Sequence, residues 1–183
     1  MNRLTLLALA ISGVASTASA ATQHRVSPEW GFSVTFPEAL PVCGNGSWHQ
    51  AHGWGVPLAG TCQKPETNRA IAVIANGSTI TIPEDATGCS DPNVKAGAKL
   101  GLHFEGRTSA TCREDHVKDG FILVTVVTQV DVDDPDHSKL DDAATEYRAG
   151  LTTTPAKLVE DLATFRSVLR TVRIDRPPPH IVR

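Results

Sequence analysis

The sequence is poor in aromatic residues and has no marked excess of either charge. It holds one tyrosine, five phenylalanines and three tryptophans in 183 residues. That stock is too small for a base-stacking platform or a broad aromatic sugar groove. Seventeen lysines and arginines face 20 aspartates and glutamates, a formal charge of −3. The basic footprint of a nucleic-acid binder is therefore missing. Beyond the first twenty residues no apolar run approaches a membrane span. The strongest, residues 121–127, is short and contains Thr125. There is no CxxC for dithiol chemistry or a zinc knuckle, no HExxH, no GxSxG elbow and no glycine-rich phosphate loop. Carboxylate pairs for glycoside hydrolysis are equally unsupported. No catalytic, cofactor-binding or metal-ligating residue is assigned on sequence grounds.

What is present points first to export. Arg3 supplies a positive n-region and residues 4–14 a mostly apolar h-region. Ala18-Ser19-Ala20 is a small-x-small cleavage site. Residues 1–20 are expected to be a signal peptide, with the mature chain starting at Ala21 in the periplasm or outside the cell. No cysteine lies directly after that site, so lipid attachment is not expected. All four cysteines, Cys43, Cys62, Cys89 and Cys112, lie in the mature part. An even number in an oxidising compartment implies disulfides. Three pairings are open, and the sequential one, Cys43–Cys62 with Cys89–Cys112, is favoured.

At 20% charged and 40% hydrophobic residues the chain is ordinary for a globular protein. Residues 21–175 are expected to form one α+β domain, and the proline-rich residues 176–183 an extended tail. Residues 21–29 look like a loose lead-in. GFSVTFP (residues 31–37) alternates, with Phe32, Val34 and Phe36 on one face, and predicts a half-buried strand. Two β-rich runs flank Asn76-Gly77, the preferred pair for a two-residue hairpin. In that hairpin Ile71 would face Ile82, and Val73 would face Ile80. Ser90 or Asp91 with Pro92 marks the start of a short second helix. A further hairpin is expected at Asp119-Gly120, followed by residues 121–132 as the central strand, apolar on both sides. Residues 146–151 suit either a strand or a helix end. The closing helix is predicted from Thr154 as cap and Pro155 to about Thr171. Its apolar stripe is Leu158, Val159, Leu162, Phe165, Val168, Leu169 and Val172.

The early GFSVTFP and the closing F-x-x-V-L-x-x-V-x-I (Phe165, Val168, Leu169, Val172, Ile174) resemble the PsbP-like α-β-α sandwich. The resemblance implies an antiparallel sheet carrying a long C-terminal helix, and a leaning toward non-catalytic, partner-binding roles. It transfers no active-site residue.

One cluster stands out. Trp48, His49, His52 and Trp54 fall within seven residues, around Gly53 and Gly55. On a strand the alternation puts Trp48, His52 and Trp54 on one face and sends His49 to the other, so the histidines would not chelate together. The three form the candidate interaction patch. The acidic stretch Asp131 to Asp142 has calcium-type ligands, but Pro135 and the missing glycine spoil the loop, and a solvated turn is the better reading. The leading expectation is an exported, non-enzymatic interaction protein of accessory, inhibitor or immunity type, engaging another exported or envelope protein. A small hydrolase using dispersed histidines (His103, His116, His137) and acids is the alternative. A weak metal or ligand carrier using His49, His52 or the acidic stretch is a third.

Overall fold

The computed structural model describes residues 21–44, 52–78, 100–104, 107, 109–131 and 144–175. Among these residues the fold is α+β, with two antiparallel sheets and one helical stretch. The strands in chain order are β1 (Thr22–Ser27), β2 (Phe32–Pro37), β3 (Gly53–Pro57), β4 (Ala70–Ser78), β5 (Ala110–His116), β6 (Phe121–Asp131), β7 (Ala144–Thr153) and β8 (Arg173–Ile174). The first sheet runs β1-β2-β8, the second β3-β4-β7-β6-β5. Helix α1 (Leu158–Leu169) follows a single 3-10 turn, Pro155–Lys157.

The register of the larger sheet explains the core. Val56, Ile71, Leu151 and Val124 lie in one cross-strand row, and Trp54, Val73, Ala149 and Val126 in the next. Period-two alternation sends both rows to the same face. Phe32, Val34 and Phe36 of β2 are all buried and join that core, as their spacing predicts. Helix α1 packs against β7 and β2 and adds Phe165, Val168 and Leu169 to the same cluster. Close packing of such apolar side chains is the main favourable term in folding.

Several expectations need correction. Residues 21–29 are not a loose lead-in. Thr22–Ser27 form β1, paired with β2 from Thr22↔Pro37 to Ser27↔Phe32. Its alternation of polar residues gave no core signal, because an edge strand needs backbone partners more than apolar side chains. The Asn76-Gly77 hairpin is overturned. Both residues continue β4, opposite Glu146 and Thr145 of β7, and Ile71 faces Leu151 instead of Ile82. A ladder along all of β4 outweighs a local turn preference. Residues 79–83 lie outside the described residues.

Residues 146–151 belong to β7, the middle strand of five, and β6 lies inside the sheet between β7 and β5, as its apolar character on both sides predicts. The Asp119-Gly120 hairpin is present between β5 and β6, with Gly120 at φ 67° and its N–H donating to the His116 carbonyl at 2.9 Å. The closing helix is shorter than predicted, and Val159 is 86% exposed, outside the apolar stripe. Thr154 precedes the 3-10 turn in extended conformation, but its side chain makes no cap bond.

Of the two expected disulfides, Cys43–Cys62 is present among the described residues, with Cα atoms 5.5 Å apart, and no cysteine among them is free. Cys89 lies outside the described residues. So do residues 1–20, the expected second helix, the acidic stretch after Asp131 and the proline-rich tail. No helix among the described residues is long and apolar enough to cross a membrane.

Candidate functional site

The β1–β2 connection is a tight turn. The Trp30 N–H donates to the Ser27 carbonyl at 3.2 Å, and Gly31 takes φ 59°, a left-handed conformation open to glycine at little cost. The Tyr147 hydroxyl on the middle strand donates to the Trp30 carbonyl at 2.8 Å and ties this turn to the larger sheet. Burial pushes the Tyr147 phenol up to about 12, so it keeps its donor proton at any physiological pH.

Strand β3 begins beside that turn. The Ala75 N–H donates to the His52 carbonyl at 3.0 Å, extending the β3–β4 ladder by one residue. The His52 ring lies against Trp30, centroids 4.2 Å apart. Trp54 meets Phe32 at 5.3 Å, and Phe32 meets Tyr147 edge-on at 5.7 Å. Such tilted contacts suit the ring quadrupoles. An aromatic chain thus runs from the surface into the core.

Between the turn and β3 lies an open cleft of about 320 Å³. Val26, Glu29, Trp30, His52 and Trp54 supply its main side chains, with Gly44 and Gly53 among the rest of its lining. His52 Nδ1 is buried and has no hydrogen-bond partner among the described residues. An unmet buried polar atom costs about 1–3 kcal/mol, a cost tolerated chiefly where function demands it.

Gly53 makes this geometry possible. A Cβ there would sit 2.1 Å from the Val73 carbonyl oxygen and 2.7 Å from the Ile74 Cα, both rigid backbone atoms. At Gly44 a Cβ would meet nothing within 4 Å. Gly53→Ala is therefore expected to destabilise the fold by about 1–3 kcal/mol through forced displacement of β3. Gly44→Ala, on the same cleft, should leave stability unchanged. Urea denaturation of the two variants beside wild type checks both.

Of the predicted patch, His52 and Trp54 both line the cleft, as their shared parity implies. Trp48 and His49 lie outside the described residues. Trp30 was missed by sequence reasoning. Its only signal was its place just before Gly31 and GFSVTFP. The other histidines do not gather here. His116 bonds Glu114 at 3.0 Å and stacks on Phe121 at the β5–β6 hairpin. His24 bonds the Thr35 hydroxyl at 3.1 Å across β1 and β2. His103 is exposed, and His137 lies outside the described residues. Among the described residues no three His, Cys, Asp or Glu side chains group as a metal site. The arginines at and after the end of α1 serve the fold, with Arg166 donating to the Leu100 carbonyl at 3.1 Å and Arg173 of β8 to the Arg170 carbonyl at 3.0 Å.

No family model, no curated protein and no solved structure matches this chain.

Proposed function

We propose that this is an exported, non-enzymatic binding protein, periplasmic or secreted, that holds an exported or envelope protein through the Trp30–His52–Trp54 cleft. The observation that carries the reading is this cleft, where two tryptophans meet a histidine whose buried ring nitrogen has no hydrogen-bond partner among the described residues, beside a strand edge. Tryptophan is the residue type most enriched among the anchors of protein interfaces. A volume of about 320 Å³ suits one large inserted side chain rather than an extended ligand.

The Cys43–Cys62 disulfide supports a location outside the cytoplasm. Cleavage after Ala20 and a second bond, Cys89–Cys112, belong to the same reading. So does the PsbP-like architecture.

The test is capture from an envelope extract, comparing wild type with a His52→Ala/Trp54→Ala variant of matching circular dichroism. The variant is expected to lose a defined partner that wild type retains. Equal capture by both would remove the cleft from the function.

A further inference from the structure

Three strand edges of useful length remain at the borders of the two sheets: β1, β3 and β5. An open edge is a template for another strand, and proteins guard such edges with charge or cover. Strand β5 is guarded by charge, with Arg113 paired to Asp115 and His116 to Glu114. Strand β3 is covered, because Cys43 and Gly55 exchange backbone hydrogen bonds at 2.8 and 3.2 Å, and the Cys43–Cys62 disulfide holds that cover in place. Strand β1 has no cover and no ion pair among the described residues, and its one formally charged side chain, the half-buried Arg25, donates to Gln23 on the same strand at 3.1 Å. It carries no proline, no lysine and no acid, and no strand among the described residues pairs with its outer side.

The direction of its free backbone groups follows from the ladder. The Glu38 N–H donates to the Ala21 carbonyl at 3.0 Å, so the odd-numbered residues face β2. Antiparallel alternation then turns the N–H and C=O groups of Thr22, His24 and Val26 outward. At its C-terminal end this edge opens into the cleft through Val26, which is 53% exposed.

We propose that β1 accepts an extended peptide segment of another protein as an added strand, and that one large apolar or aromatic side chain of that segment fills the Trp30–Trp54 cleft. This rests on the binding role of the cleft and adds how the partner is held. Main-chain bonds to β1 supply affinity, and the cleft selects the anchor. Glu29 is an exposed carboxylate at the rim and favours a basic residue beside that anchor. A second copy of β1 is a poor occupant, because its sequence TQHRVS offers no aromatic anchor.

The probe is a short fluorescein-labelled peptide of alternating lysine and valine with one central tyrosine, followed by fluorescence polarisation. Saturable binding is expected. His24→Pro removes an outward N–H at a position proline tolerates on an edge strand, and should weaken binding about tenfold. Trp54→Ala, or alanine for the peptide's tyrosine, should do the same. N-methylating the peptide on alternate residues tests strand addition on the unaltered protein. One methylation frame should abolish binding, and the other should leave it intact.

No saturable binding, or equal loss from both frames, overturns the proposal. A concentration-dependent dimer that His24→Pro dissolves would assign the edge to a second copy and overturn it too. Capture of the natural partner lost in Trp54→Ala but kept in His24→Pro would remove strand addition and leave the cleft reading standing.

Discussion

Asp161→Ala should destabilise the protein by about 3–5 kcal/mol, the cost of leaving one member of a buried ion pair without its partner. Asp161 sits in the first turn of α1 and is 2% exposed. Its carboxylate accepts from Arg69 Nε at 2.7 Å and from a second guanidinium nitrogen, the forked geometry that suits arginine to a carboxylate. The Thr153 hydroxyl also donates to it. The chain entering β4 thus meets, 92 residues on, the end of β7 and the closing helix at one side chain.

The same site sets an acid response. Burial pushes the Asp161 carboxyl up, but the bonds from Arg69 and Thr153 and the Arg69 charge outweigh it, and the net shift is downward. A carboxyl held below its ordinary value stabilises the fold fully above that ordinary value. The contribution fades as pH falls through the depressed folded value. The stability gap between wild type and Asp161→Asn should therefore be widest at neutral pH and narrow in strong acid. Guanidinium denaturation across pH measures it. A double variant, Arg69→Met with Asp161→Leu, should recover most of the loss, because removing both charges leaves neither uncompensated. A gap independent of pH, or a double variant no better than Asp161→Ala, would contradict this account.

Removing the Cys43–Cys62 bond, as Cys43→Ala/Cys62→Ala, should cost about 3 kcal/mol, the loop-entropy value for a closure of this size. The two cysteines are 19 residues apart. For a chain of this length that cost lowers the melting midpoint by roughly 6–12 °C. The effect should be largest around β3. Cys43 forms the bridge to Gly55, and Cys62 follows the turn at Gly60, whose φ is 86°. Freed from the bond, β3 would lose its cover, and with it the placement of His52 and Trp54 in the cleft. Differential scanning calorimetry gives the midpoint, and quenching of tryptophan fluorescence by acrylamide reports the opening of the cleft. An unchanged midpoint would mean that the pairing of β3 with β4 alone holds this region.

Half of the candidate site was legible in the chain. The alternation of Trp48, His52 and Trp54 marked one face, and His52 and Trp54 do share the cleft. Trp30 was not legible, because it reaches His52 only through the β1–β2 turn and a hydroxyl on β7. Nothing near Trp30 in sequence mentions either. Asp161 was equally illegible. In sequence it is an acid well placed for the helix dipole, and only the approach of Arg69 makes it a buried ion pair.

By itself the sequence determined whatever depends on neighbours along the chain: the alternation of β2, the Asp119-Gly120 turn, the apolar stripe of the closing helix and the scarcity of aromatics that makes the tryptophans informative. Tertiary structure alone decided that Asn76-Gly77 would lie in a strand, that β7 would stand in the middle, that residues 22–27 would become an edge, and that Trp30 would meet His52. Each of those outcomes is a long-range pairing. Local preferences are worth a few tenths of a kcal/mol to about one, and a full ladder with a buried face exceeds them.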